Sequence, residues 1–429
     1  MADARWVAFD LLTRTERDGA YSNLLLDRAF TATKLSDREK AFAAALFYGV
    51  LERRLTLDYL IRAYSRVEFD RLEPSAIRLL RLGFYQLLFM EGVPDRAALN
   101  ETVALAPPRQ RGFINAVLRA FQRDGGTLKL DGLTGEARLS VEYSCPKWLV
   151  KMWTRRFGEE ITRSLLEASL GRPPLFIKVN TLRASVGELI EALSREGIAA
   201  KPNALLPDCA ELGRVSGIEK SRAYRDGLFH VQDISSQLCC SLVDPKPGET
   251  VLDLCAAPGG KSFTLAEKMG DKGRLLAFDL HSSKLPLISE GARRLGLTIL
   301  SASQNDASVY NEAIPMADKV LCDAVCSGLG VIRRKPEIKY KPKATLESFP
   351  PLQRAILATA KRYVKPGGVL VYSTCTLNEA ENEAVAADFL RDNADFTLAV
   401  EKNFFPHETG GDGFFAAVFR RGNGEKREK

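Results

Sequence analysis

Thr250-Val251-Leu252-Asp253-Leu254-Cys255-Ala256-Ala257-Pro258-Gly259-Gly260-Lys261-Ser262 decides the fold. Its first five residues read as a strand buried on both faces, and the Gly-rich turn that follows opens into a helix-like segment at 260–270. Further apolar runs at 273–279, 297–300, 318–322 and 368–373 alternate with helix-like segments at 283–295, 351–364 and 377–392. The last helix reads as capped by Thr376-Leu377-Asn378-Glu379. Strand–helix alternation with near-continuous apolar strands predicts a parallel sheet covered on both faces, a Rossmann-like α/β domain over 236–421. Two late segments, Phe396–Val400 and Phe414–Phe419, would close one edge as an antiparallel pair, before a polar tail at 422–429.

Upstream of that domain the pattern changes. Residues 1–124 carry apolar positions at helical spacing, for example Phe42-Leu46-Val50 and Ile77-Leu80-Phe84-Leu87, with a capping box at Ser36-Asp37-Arg38-Glu39. This predicts an all-α domain of five or six helices, ending at Asp124-Gly125-Gly126. The Gly- and charge-rich stretch 125–142 reads as a linker. After it, 143–235 mixes a helix carrying Leu149, Met152, Trp153 and Phe157 with short strands at Leu175–Asn180 and near Phe229–Asp233, which reads as a small α+β subdomain.

The 429 residues are 45% hydrophobic and 27% charged, a globular balance with no low-complexity tract. The eight cysteines lack paired metal-site spacing, so no metal is expected. The chain opens Met-Ala-Asp-Ala-Arg without an apolar signal core, and a reduced, cytoplasmic protein is the expectation. No apolar run is long enough to span a bilayer, so no membrane role is expected. Net charge is +7, and Arg333, Arg334, Lys335, Lys339, Lys341 and Lys343 form a cluster that reads either as a solvated loop or as a surface that tracks phosphates.

The turn after the first strand resembles a phosphate-binding Gly-x4-Gly-Lys-Ser loop, but Cys255 stands where the first glycine is required and Pro258 removes a cradle N–H. A nucleoside triphosphatase is therefore disfavoured. An adenosine-type cofactor over the turn fits better. It needs a carboxylate at the end of the second strand for the ribose hydroxyls, and Asp279 stands there. Asn305-Asp306 follows the third strand, where an acid could accept from an adenine amine. A dehydrogenase shares this layout, yet the sequence lacks Gly-x-Gly-x-x-Gly. The bland alternative makes Asp279 and Asp306 turn residues only.

Two cysteines follow the fourth and fifth strands: Cys326 in Asp323-Ala324-Val325-Cys326-Ser327-Gly328, and Cys375 in Ser373-Thr374-Cys375-Thr376. These motifs, with the cofactor loop, Val179–Arg183, Val231–Gln237 and Phe405–Phe415, resemble the RNA cytosine-5 methyltransferases. The resemblance is closest to the bacterial Sun, or small-subunit methyltransferase B, branch, the 16S rRNA (cytosine(967)-C(5))-methyltransferases, and covers nearly the whole chain. It implies a NusB-like RNA-binding domain over the helical residues and S-adenosyl-L-methionine as cofactor. That cofactor would be held by Cys255, Ala256, Ala257, Pro258, Gly259, Gly260, Lys261, Asp279, Asp306 and Asp323.

The resemblance further implies that Cys375 is the nucleophile that adds to carbon 6 of cytosine, making carbon 5 able to attack a methyl group. Cys326 would assist loss of the carbon-5 proton and release of the enzyme, and Asp323 would hold the base edge. Lys261 would favour the Cys375 thiolate. The expected substrate is 16S rRNA, naked or in an early assembly intermediate, and the expected state a monomer. The target cytosine would have to leave any stack. The same chemistry on tRNA or 23S rRNA, or a non-catalytic NusB-like RNA-binding role, are the alternatives. Position 325 departs from the family's usual Pro, which leaves the geometry of Cys326 the open point. Lys335 and Glu337 replace the more common His and Asp, with polarity kept. Cys145, Cys209, Cys239, Cys240 and Cys322 read as packing residues.

Overall fold

The computed structural model describes residues 3–18, 22–215 and 217–423. The polar tail from 424 onward lies outside them. The chain divides into two compact units, Met1–Arg172 with Ile332–Lys341, and Pro173–Val331 with Pro342–Lys429.

The first unit is all-α. Within its first 124 residues seven α-helices are described, Ala4–Asp18, Ser22–Ala32, Asp37–Glu52, Arg54–Tyr64, Pro74–Phe89, Asp95–Leu105 and Pro108–Arg123, rather than five or six. The extra helices are short pieces separated by single residues or prolines, which periodicity alone runs together. Helix Asp37–Glu52 starts at the expected capping box, where Ser36 N donates to Glu39 Oε2 at 2.8 Å. The amphipathic faces meet in a core that includes Leu46, Phe47, Leu80, Phe84, Leu118 and Phe121, with the Phe84 and Phe121 rings edge to face.

Two segments of this unit differ from the sequence reading. The stretch 125–142 contains a helix, Gly135–Glu142, whose Val141 carbonyl accepts from Thr56 Oγ1 at 2.5 Å. Eight residues give little periodicity, and packing against helix Arg54–Tyr64 specifies it instead. The basic cluster after Cys326 is also only partly a surface. Pro336, Ile338 and Lys339 are buried, and Glu337 accepts from both Ser22 N and Ser22 Oγ, at 3.0 and 2.9 Å. Lys339 donates to the Glu52 carbonyl at 2.9 Å, and burial pushes its ammonium down to about 8. A lysine so placed does not track phosphates.

The second unit carries two sheets. Strands β1 (Leu175–Val179), β2 (Ala200–Pro202), β3 (Cys209–Leu212) and β4 (Phe229–Val231) form a small antiparallel sheet in the order β2-β3-β1-β4. Helix Val186–Arg195 packs on it through Leu189 and Leu193.

The larger sheet contains β5 (Thr250–Asp253), β6 (Arg274–Asp279), β7 (Leu300–Gln304), β8 (Ala317–Asp323), β9 (Val364–Thr374), β10 (Phe396–Phe404) and β11 (Phe414–Arg421). Their order is β10-β11-β9-β8-β5-β6-β7. β5 to β9 pair in parallel, and β11 runs antiparallel between β9 and β10, so the late pair closes the edge as expected. Side chains alternate between two cores. Leu252, Val320, Cys322, Leu370 and Tyr372 meet helices Phe349–Ala360 and Glu383–Arg391 on one face. Val251, Leu321 and Val371 meet helices Ile234–Val243, Gly260–Lys268 and Leu285–Leu295 on the other. This is the Rossmann-like layout read from the strands.

Candidate active site

In this topology the chain runs outward from β5 through β6 to β7, then returns to lay β8 on the other side of β5. Ligands of open α/β sheets bind beyond the carboxyl ends of the strands at such a reversal. Asp253, Asp279 and Asp323 end β5, β6 and β8, Asp306 follows β7 by two residues, and Cys375 follows β9 directly.

The turn after β5 is held by its neighbours. Ala256 N donates to Phe278 O at 2.7 Å, Leu254 N to Leu321 O at 3.0 Å, and Gly259 N to Ala256 O at 2.7 Å. Gly259, at φ +111°, is the N-cap of helix Gly260–Lys268, and Pro258 follows a cis peptide bond. The N–H groups of Gly260, Lys261 and Ser262 precede the first bond of that helix, which Phe263 N donates to Gly259 O at 2.9 Å.

Beneath the turn, Ser262 Oγ donates to Asp253 Oδ2 at 2.6 Å. Burial pushes the Asp253 carboxyl up to about 6, with the Ser262 bond opposing. Cys255 is held neutral by burial first, and then by the carboxylates of Asp253, Asp323, Asp279 and Asp306. Its contribution is therefore through the backbone. Two of these carboxylates also face a lysine: Asp323 meets Lys261 Nζ at 2.6 Å and Asp279 meets Lys284 Nζ at 3.5 Å. Asp279 Oδ1 accepts from His281 N at 3.0 Å, and Asp306 Oδ1 from Ser308 N and Oγ at 2.9 and 2.6 Å, so each acid also shapes its own turn.

Asp323 is engaged through both oxygens, by Lys261 Nζ at 2.6 Å and by Ser373 Oγ at 2.7 Å. Burial alone would lower the Lys261 pKa, but the Asp323 charge outweighs it and the ammonium is held protonated. It also lies 5.0 Å from the Phe414 ring centroid. The Lys261 charge is thus paired with Asp323.

Cys326 Sγ lies 3.3 Å from Cys375 Sγ, and both are free, half-buried thiols. Cys326 is pushed well above the ordinary thiol range, first by its hydrogen bond with Cys375, then by burial and by the charges of Cys375 and Glu381. Its hydrogen bond and its burial both favour the protonated thiol at Cys326. The Cys375 carbonyl accepts from Gly330 N at 3.0 Å, and Gly330 O accepts from Gly413 N at 2.9 Å. A Cβ on Gly330 would sit 1.9 Å from Gly413 O, so that stitch requires glycine.

Val325, in place of the family's proline, is 48% exposed, and its carbonyl accepts from Gln353 Nε2 at 3.0 Å. On the other side of Cys326, Ser327 N donates to Glu381 Oε2 at 2.8 Å. Hydrogen bonds on both flanks restrain the cysteine that a proline would otherwise restrain.

The sequence reading missed a buried network around Glu381. Its carboxylate accepts from Ser327 N, Ser327 Oγ, Asn378 Nδ2 and Gln353 Nε2, and Ser327 Oγ is also 2.8 Å from Thr376 Oγ1. Asn382 bonds Thr374 Oγ1 and the Thr376 carbonyl, at 2.6 and 2.9 Å. Thr376 does not cap a helix as read. The helix begins at Glu383, because 376–382 are committed to this network. The run of Asn and Glu just after Cys375 was the available signal. Cys145, Cys209, Cys239, Cys240 and Cys322 are buried, as packing residues should be.

Residues 240–420 match the family described as 16S rRNA methyltransferase RsmB/F, residues 2–123 the NusB family, and residues 145–218 the ferredoxin-like domain of RsmF/B-like methyltransferases. The probable ribosomal RNA small subunit methyltransferase B of Bacillus subtilis (strain 168) is 38% identical over 97% of this chain and 98% of its own length. Ribosomal RNA small subunit methyltransferase B of Escherichia coli O1:K1 / APEC is 33% identical over 90% of this chain and 91% of its own. The crystal structure of a methyltransferase homolog protein from Pyrococcus horikoshii is 28% identical, with a TM-score of 0.60, and covers 67% of this chain and all (100%) of that one. With identity at this level along nearly its full length, the chain belongs to the ribosomal RNA small subunit methyltransferase B family of S-adenosylmethionine-dependent rRNA methyltransferases.

Proposed function

We propose that the protein methylates carbon 5 of a cytosine in 16S rRNA through a covalent bond between Cys375 and carbon 6 of the base. The observation that carries this reading is the pair of thiols 3.3 Å apart, beside an Asp323 carboxylate already neutralised by Lys261. In this reading Cys375 is the nucleophile and attacks carbon 6 as the thiolate, while Cys326, whose thiol is favoured by its hydrogen bond and its burial, is the partner 3.3 Å away. Its addition to carbon 6 pushes the electron pair of the ring double bond toward carbon 5, and Asp323 accepts from the exocyclic amine to hold the base. S-Adenosylmethionine, when bound, supplies the electrophilic methyl group and leaves as S-adenosylhomocysteine.

Once the Cys375 sulfur is bonded to carbon it carries no charge, and the largest cause of the raised Cys326 pKa is gone. Cys326 then releases its proton to solvent, and its thiolate takes the proton from carbon 5. The electrons of that C–H bond re-form the ring double bond as the sulfur–carbon bond breaks. Cys375 is again the thiolate and Cys326 the thiol, with one proton released per methyl transferred. The substrate in this reading is 16S rRNA, free or in an early assembly intermediate, bound by a monomer with the target base turned out of any stack. The NusB match over 2–123 supports RNA recognition by the helical residues.

The test is to incubate the protein with 16S rRNA and S-adenosylmethionine, then look for a denaturant-resistant protein–RNA complex. Such a complex in the Cys326→Ala protein, absent from Cys375→Ala, is the expected result. A complex that survives Cys375→Ala would overturn the assignment of the nucleophile.

A further inference from the structure

Glu381 is fully buried (0% exposed), and among the described residues its carboxylate is met only by neutral donors. An uncompensated carboxylate is costly to bury, and packing alone does not call for one. Its donors come from three separate segments. Ser327 follows Cys326, Asn378 lies three residues after Cys375, and Gln353, on helix Phe349–Ala360, also holds the Val325 carbonyl. Ser327 Oγ bridges Glu381 and Thr376, so the residues that follow the two cysteines are bonded to each other and to the same carboxylate. Glu381 is itself anchored, since its carbonyl accepts from Tyr372 OH at 2.6 Å.

We propose that Glu381 is a positioning residue that locks the two thiol loops together and thereby assigns Cys326 and Cys375 their different roles. The inference rests on the methylation reading for its purpose, but its geometry stands apart from it. All four donors to the carboxylate are N–H or O–H groups, so a glutamine there would turn its amide –NH2 toward donors and break one side of the clamp. The buried charge also bears on Cys326: after the hydrogen bond with Cys375, burial and the Cys375 charge, Glu381 is the next cause that raises the thiol.

The test needs neither RNA nor cofactor. The full-length protein is treated briefly with iodoacetamide, and alkylation of Cys375 and Cys326 is followed by peptide mass spectrometry. The wild type should alkylate Cys375 faster. Glu381→Gln should narrow that preference by about tenfold, the equivalent of one pKa unit, while circular dichroism and S-adenosylmethionine affinity stay unchanged. Glu381→Asp, which keeps the charge, should recover part of the preference. Ser327→Ala removes only the bridging hydroxyl and should narrow it by about threefold, so the test survives if Glu381→Gln does not fold. An unchanged preference in the folded variants would overturn the inference. A wild type that shows the preference but methylates no RNA would defeat the methylation reading and leave the role of Glu381 standing.

Discussion

Asp253→Asn probes the base of the turn that follows β5. The carboxyl is 1% exposed and pushed up to about 6 from its ordinary 3.8, first by burial, with the Ser262 hydrogen bond opposing. Below the unfolded value the group is protonated in both states and costs nothing. As pH rises toward the folded value, the unfolded chain gives up the proton first and the fold loses stability, until the full penalty is in place above that value. A gap of about 2 pKa units corresponds to a penalty of about 3 kcal/mol. At pH 4.5 about 1 kcal/mol of it has accrued, and at pH 7.5 nearly all.

Asparagine does not titrate, so between these pH values the wild type should lose about 2 kcal/mol relative to Asp253→Asn. Any fixed cost of the amide cancels in that double difference. Hydrogen exchange of the β5 and β6 amides reads this unit by itself. A double difference below about 0.5 kcal/mol would refute the claim that this carboxylate is buried against its ionisation.

Other perturbations have equally definite outcomes. Lys339, pushed down to about 8, penalises the helical unit below that pH and is relieved as pH rises. The wild type should therefore gain about 1 kcal/mol over Lys339→Met between pH 7 and pH 9. Trp6, Trp148 and Trp153 all lie in that unit, so urea unfolding followed by tryptophan emission reports it, and no gain would mean that Lys339 is not desolvated. Gly330→Ala drives a methyl group into Gly413 O and should slow methyl transfer at least about tenfold at unchanged cofactor affinity; wild-type rates would show that the stitch to Cys375 is dispensable. Cys326→Ala should stall as the covalent enzyme–RNA adduct, seen as a shifted band on a denaturing gel, and free turnover would remove its role in release.

What the sequence made legible is local. The alternation of apolar strands and helices, the acids at strand ends and the cysteines just beyond β8 and β9 each follow from a few consecutive residues, and the structure places them accordingly. What escaped depends on partners far along the chain. Thr376 read as a cap because its hydroxyl precedes a helical pattern, yet that hydroxyl meets Ser327, 49 residues earlier. Glu381 is not singled out by the helix-like pattern of 377–392 around it, and its burial follows from donors on Ser327 and Gln353. The segment 332–341 read as a basic loop because only its charges are visible in sequence. Its fate is set by Glu337 meeting Ser22, 315 residues away, and by Lys339 meeting the Glu52 carbonyl. The Val325 departure likewise changes meaning once Gln353 is seen holding its carbonyl.

The central claim is the reaction itself, and the most direct measurement supplies methyl-labelled S-adenosylmethionine to the purified protein with unmodified 16S rRNA and, separately, transfer RNA. The RNAs are then digested and their nucleosides identified. The account predicts label in 5-methylcytosine from 16S rRNA alone, and its loss in Cys375→Ala. Label on any other nucleoside, or 5-methylcytosine still formed by Cys375→Ala, would contradict it.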